Sequence, residues 1–219
     1  MEVKIIHYTR LAERIKNLDK QLNKYNISYD VTEEFDPENL DSELTQKFDL
    51  NKIDITNVSI FLKHINTLID NKNNNNVIIL EDDVVLVDKF KEKLTKQIDL
   101  LPSEFGFLFF DQFHKSFKVK RNLFNYNKKI YKINYYAEPN FLQQSEKRTG
   151  KTRGLGGYVF NTEYRELLRS EFDNQQGICI PIDHWLNHFI NKYNLNIFWS
   201  EPALSYQGSK SGLFKSENE

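Results

Sequence analysis

The sequence predicts an α/β fold, a mixed but mainly parallel sheet flanked by helices. Three observations carry this. Short apolar runs, Val3 to His7, Val77 to Leu80 and Phe105 to Phe110, each have the length of a strand. Between them, apolar residues recur at helical spacing, so strands and helices alternate. The run from Val77 to Leu80 is continuous and three-quarters β-branched. That suits a strand covered on both faces, as in a parallel sheet between helices.

Val3 to His7 is the first strand. Thr9 is a candidate N-cap, and Leu11, Ile15, Leu18, Leu22 and Tyr25 trace one face of the helix that follows. Tyr8, Thr9, Arg10 and Arg14 sit where this strand meets its helix, a position suited to anions. Arg14 taken alone reads as solvated surface. Asn26 to Val31 is the second strand, and residues 32–55 are an acidic region with short helical pieces. Val58, Phe61, Leu62, Ile65, Leu68 and Ile69 then define a buried helix over 56–70. His64 lies beside that apolar face, where a lone histidine is more often a satisfied core residue than a ligand. Asn71 to Asn76 is a polar turn before the central strand.

Phe90, Leu94, Ile98 and Leu101 space out another helix, stopped by Pro102, and the strand from Phe105 ends at Asp111. From Phe117 to Tyr136 basic residues alternate with apolar and aromatic ones, the pattern of half-exposed strands in an antiparallel addition. Residues 143–154 form a polar loop, a candidate lid or acceptor loop. Leu155 to Phe160 is a strand whose pair Gly156-Gly157 suits close approach of the backbone to a ligand or another element. Thr162 caps a helix to Phe172, Pro181 opens the last helix, and Ile197 to Trp199 is the last strand. The tail from Ser205 to Ser216 keeps Tyr206, Leu213 and Phe214, so it is expected to fold back onto the body.

The chain has 219 residues, 39% hydrophobic and 28% charged, enough for a sizeable core in one large domain or two small ones. Thirty Lys and Arg against 31 Asp and Glu leave a net charge of −1, so no global field selects nucleic acid. One cysteine, Cys179, excludes an internal disulfide. No apolar stretch has the length of a transmembrane helix or the form of a signal peptide, and a cytoplasmic location is expected.

The chemistry gathers at Glu81-Asp82-Asp83, the carboxyl end of the central strand. Three carboxylates beside a core repel one another and require compensation. That edge of an α/β sheet is also where ligands bind. A divalent cation carrying phosphate oxygens is the simplest partner, since magnesium and manganese bind through one or two carboxylates plus phosphates. A solvated acidic turn explains the same triplet, and these residues alone leave the two readings level. No phosphate loop is present, neither G-x-x-x-x-G-K-[ST] nor G-x-G-x-x-G. Asp183 lies in the first turn of the Pro181 helix, where the helix dipole alone would favour a carboxylate.

Several stretches in order resemble glycosyltransferase family 25, the group of lipooligosaccharide and procollagen galactosyltransferases. They are the opening strand with TRLAERIKNLDKQL, the Ser-x-x-x-x-His helix in VSIFLKH, the acidic IILEDDVV, TRGLGGYVF, PIDHWLNHFI, and EPALSYQGSKSGLFKS. The resemblance implies a GT-A-like fold, a UDP-hexose donor, a divalent metal (Mn2+ or Mg2+), and inversion at the anomeric carbon. It implies a glycan or protein hydroxyl as acceptor, and one domain over 1–219 with residues 1–111 binding nucleotide sugar and 112–219 serving acceptor and catalysis. By the same resemblance Asp83 and Glu81 are the metal candidates, and Glu81 in the alternative faces the ribose. Asp183 is the candidate base, while Thr9, Arg10, Arg14, His64, Asp82, Arg153 and Gln207 are candidates for binding the donor. The triplet departs from the plain Asp-x-Asp of many GT-A enzymes, which leaves open which carboxylate does which work. Two rival readings are a catalytically inactive glycosyltransferase-like binding module and a metal-dependent nucleotidyl- or phosphoryl-transferase.

Overall fold

The structure, a computed structural model, describes residues 2–70, 76–112, 129–133 and 152–214. Its centre is a seven-stranded sheet: β1 (Glu2–Ile6), β2 (Asp30–Thr32), β3 (Val77–Glu81), β5 (Phe105–Phe109), β7 (Ile130–Lys132), β8 (Gly157–Phe160) and β9 (Asn196–Ser200). The spatial order is β2-β1-β3-β8-β5-β9-β7. Five strands, β2, β1, β3, β5 and β9, run the same way, while β8 and β7 oppose them. A smaller sheet joins β4 (Val84–Leu86), β6 (Asp111–Gln112) and β10 (Ser205–Gln207) in the order β4-β10-β6. The mixed α/β architecture expected from the sequence, a mainly parallel sheet flanked by helices, is the one observed.

Helices α1 (Ala12–Lys24) and α4 (Phe90–Ile98) cover one face of the large sheet. The other face carries α3 (Ile55–Ile69), α5 (Arg165–Asp173) and α6 (Ile182–Lys192), with the short α2 (Ser42–Thr45) nearby in sequence. The central strand shows why its apolar run is unbroken. Val77 and Ile79 pack with α3, whereas Ile78 and Leu80 pack with α1 and α4. Each such buried side chain contributes about 1.5–3 kcal/mol, so neither face tolerates a polar residue.

Local chemistry shifts several ends. Leu11, not Thr9, occupies the N-cap position of α1, because the Thr9 hydroxyl donates to Asp36 instead. Asp54 caps α3 by accepting from Asn57 N. Asn161, not Thr162, caps the 3-10 turn that leads into α5. The strand expected at 26–31 shortens to Asp30–Thr32. Val84 and Val85 do not prolong β3; Asp82 and Asp83 turn the chain and the valines join the second sheet.

The expected antiparallel addition is described only at β7, which pairs antiparallel with β9 at the sheet edge. Residues 113–128 and 134–136, the turn at 71–75, the loop at 143–151 and residues 215–219 lie outside the described residues. The tail does fold back: β10 pairs with β4 and β6, and a turn continues to Phe214. Among the described residues no helix is long and apolar enough to cross a membrane.

Candidate active site

Because β1, β3, β5 and β9 are parallel, their carboxyl ends meet at one edge of the sheet. That edge collects His7 to Thr9 after β1, Glu81 to Asp83 at β3, Asp111 after β5 and Glu201 after β9. The antiparallel β8 begins there too, so Arg153 to Gly156 arrive at the same place. A cleft of about 310 Å³ opens on this edge, its lining including His7, Tyr8, Arg14, Lys63, Glu81, Asp82, Asp83, Gln207, Ser209 and Lys210.

The three carboxylates of the triplet live in different surroundings. Asp82 is buried and fully engaged: Oδ2 lies 2.7 Å from His7 Nδ1 and accepts from Tyr8 N at 3.2 Å, and Oδ1 accepts from Arg14 Nη1 at 3.3 Å. Asp82 thus fastens the loop after β1 and the first turns of α1 to the end of β3. Arg14 is only 5% exposed, which corrects its reading as solvated surface. The reason is Asp82, a charge the helix pattern around Arg14 does not reveal.

Asp83 is also buried. Its Oδ2 accepts from the Ser209 hydroxyl and from Ser209 N at 3.3 Å, whereas Oδ1 is buried with no hydrogen-bond partner. Glu81 accepts from Gln207 Nε2 at 3.0 Å through Oε2, and its Oε1 lies 3.4 Å from His64 Nε2. Burial pushes the Glu81 carboxyl up to about 8, reinforced by Asp83 and Asp82 and opposed by Gln207 and Lys210.

His64 is fully buried, with Nδ1 2.9 Å from the Tyr158 hydroxyl. Burial pulls its pKa down to about 3, against the field of Asp183, so the ring is neutral at physiological pH. It is a buried, hydrogen-bonded core residue, and its ring also lies beside Glu81.

Asp183 sits in the first turn of α6 with its side chain 43% exposed, and Oδ1 accepts from His184 N at 2.9 Å. It lies outside the lining of the cleft, yet its charge acts on both His64 and Lys210. Thr9 is tied to Asp36 through its hydroxyl and its N–H, and the exposed Arg10 pairs with Glu38. Arg153 is buried over the Trp199 ring, donating from Nη1 to Ser200 O at 2.6 Å, with Nη2 2.6 Å from Glu201. The structure therefore brings Glu81, Asp82, Asp83, Arg14 and Gln207 to one cleft, and anchors Thr9, Arg10 and Arg153 to other partners.

Sequence reasoning missed four contributors. Asp111 is 0% exposed, accepts from Ser205 Oγ at 2.8 Å through Oδ1, and has Oδ2 buried without a hydrogen-bond partner. Burial raises it to about 7; the Ser205 bond opposes this, and Glu81 and Asp83 add to it. Its signal was present, a carboxylate at the end of a second continuous apolar strand. Ser209 and Lys210 lie in the C-terminal stretch that carries the family resemblance, but as single residues of a polar tail neither gave a chemical signal of its own. Lys63 donates to His7 O and to Asp36 inside the cleft wall. The glycine pair proves to serve packing: a Cβ on Gly156 would stand 2.6 Å from Asp111 Oδ2, and one on Gly157 2.4 Å from the Phe110 ring.

The family model described as glycosyltransferase family 25 (LPS biosynthesis protein) matches residues 1–186. No curated protein matches. Among solved structures, the chain is similar to a glycosyltransferase involved in the glycosylation of the major capsid of PBCV-1. That match has 10% identity over 94% of this chain and 91% of that one, with a TM-score of 0.46. It is also similar to the galactosyltransferase LgtC in complex with donor and acceptor sugar analogues, at 12% identity, 91% and 73% coverage and a TM-score of 0.48. For mouse xyloside xylosyltransferase 1 in its apo form the values are 12%, 90%, 70% and 0.41.

Proposed function

This chain belongs to glycosyltransferase family 25, and on that premise we propose that it is a metal-dependent, inverting hexosyltransferase. The donor is a UDP-hexose, galactose or glucose, and the acceptor a hydroxyl of a glycan or protein. The observation that carries this reading is Asp83: a carboxylate on the cleft wall, buried, with Oδ1 left without a hydrogen-bond partner. A buried carboxylate oxygen with no donor is costly unless a ligand supplies the missing charge.

A divalent cation fits that requirement. Among the described residues no three acidic, histidine or cysteine side chains form a metal cage. Magnesium or manganese does not need one, since each binds through one or two carboxylates together with substrate phosphates. Asp83 is the first candidate ligand and Glu81 the second. When bound, the ion supplies Lewis-acid stabilisation of the charge that gathers on the departing diphosphate.

The chain's own groups perform the rest. Lys210 on the cleft wall adds a positive charge facing the same space. Asp82, held by His7 and Arg14, keeps the loop after β1 in place for the nucleoside. His64, neutral and buried, holds Glu81 from behind. Asp183 accepts the proton of the acceptor hydroxyl as that oxygen attacks the anomeric carbon from the face opposite UDP.

Two variants test the assignment together. Asp83→Ala should abolish the manganese-dependent binding of UDP, read as a thermal shift, while leaving the protein folded. Asp183→Asn should keep that binding and lower turnover about a hundredfold or more, the scale of a lost general base. Full manganese-dependent binding in Asp83→Ala refutes the metal assignment, and unchanged turnover in Asp183→Asn assigns the proton to another group.

A further inference from the structure

Ser205, Gln207 and Ser209 are spaced by two along β10 and the turn after it. Alternate residues of a strand project to the same side, as Ser205 and Gln207 do, the turn brings Ser209 round to join them, and each of the three donates to a different carboxylate. Ser205 Oγ reaches Asp111 Oδ1 at 2.8 Å, Gln207 Nε2 reaches Glu81 Oε2 at 3.0 Å, and the Ser209 hydroxyl reaches Asp83 Oδ2. The acceptors come from two separate stretches of chain, the triplet at the end of β3 and Asp111 after β5. The intervening Tyr206 is 40% exposed, as a side chain on the opposite face would be.

The donors are fixed because their backbone is fixed. β10 is laddered antiparallel to β4 and parallel to β6, and Gly208 N donates to Asp83 O at 2.7 Å. A Cβ on Gly208 would lie 2.7 Å from that same carbonyl, so the close approach requires glycine there. For Asp83 and Asp111 the outcome is the same: one oxygen is bound to a serine and the other is buried with no hydrogen-bond partner. Packing alone gives no reason to hold one oxygen of a buried carboxylate so firmly and leave its twin bare.

We propose that the C-terminal strand is the positioning element of the acidic floor. Ser209 and Ser205 turn Asp83 and Asp111 so that Asp83 Oδ1 faces the cation that accompanies a nucleotide diphosphate. The proposal rests on the reading that this cleft binds such a cation. It makes Ser205 and Ser209 positioning residues, acting through the carboxylates and not on the substrate. Second-layer hydrogen bonds of this kind orient ligating carboxylates, and losing one typically costs 10–100-fold in metal affinity.

The test is calorimetric titration of the full chain with UDP, with and without Mn2+. The wild type binds UDP in a manganese-dependent manner. Ser209→Ala weakens that binding 10–100-fold, with little change in the ligand-free unfolding midpoint, and Ser209→Thr, which keeps the hydroxyl, restores it. Ser205→Ala weakens it in the same direction and decides the matter should Ser209→Ala fail to fold. Tyr206→Ala, on the other face of the same strand, binds as the wild type does. Manganese-dependent binding undiminished in both serine variants overturns the proposal and leaves the functional reading intact. A wild type that binds no UDP with manganese overturns both.

Discussion

Glu81 and Asp111 carry carboxyls pushed up to about 8 and about 7, chiefly by burial and then by their acidic neighbours. In the unfolded chain both ionise near pH 4. Between those limits the folded protein binds more protons than the unfolded one, so raising the pH removes stability. His64 works the other way at lower pH. Its folded pKa of about 3 against an unfolded 6.5 costs stability as pH falls below 6.5. The two trends oppose each other in acid, and between pH 6.5 and 8 the two carboxylates outweigh the fading contribution of His64. The cation-free protein should therefore show a melting midpoint that falls from pH 6.5 to 8, and Glu81→Gln should flatten that slope. A midpoint that rises over the same range, followed by circular dichroism, contradicts the assigned environments. At this scale the sequence was partly legible. An acidic triplet after a buried strand announces strain, but that Asp82 is held by His7 and Arg14 while Asp83 Oδ1 is left without a hydrogen-bond partner depends on contacts more than 60 residues apart.

Helix α3 shows how an element can be legible while its work is not. Its apolar positions define the helix and the face it buries. Lys63 falls between them and is buried as well, because the segment around Asp36 closes over it. Its ammonium donates to Asp36 and to His7 O, and Asp36 also accepts from Thr9. Burial alone would raise the Asp36 carboxyl; Lys63 and Thr9 outweigh it and hold it below the usual carboxylate range. This knot joins α3, the end of β1 and the loop after β2, three elements of the cleft wall. Lys63→Met leaves a buried carboxylate without its counter-ion and should cost about 3–5 kcal/mol in denaturant unfolding. Adding Asp36→Asn should recover part of the loss; a single variant as stable as the wild type would show that the pair is not holding the wall. Thr9 illustrates the limit of local reading. A threonine before a helical pattern is a natural N-cap, yet a carboxylate 27 residues away takes its hydroxyl.

For the whole molecule, strand-helix alternation revealed the class of fold but not the direction of every strand. A strand covered on both faces is uniformly apolar whichever way it runs, so nothing in Gly157 to Phe160 reveals that β8 enters antiparallel between β3 and β5. That insertion matters, because it brings Gly156 against Asp111 and Arg153 against Glu201 at the sheet edge that carries the cleft. The tail was expected to fold back, and its destination, the acidic floor itself, is what joins both ends of the chain in one site. On the proposed reading this edge grips a diphosphate through a cation. Release of UDP from a panel of UDP-hexoses, with manganese and with chelator, tests it most directly. Wild-type protein should liberate UDP slowly from at least one UDP-hexose, only with the metal, and Asp83→Ala should liberate none. Release that is indifferent to both metal and Asp83, or consumption of free nucleoside triphosphate in its place, would contradict it.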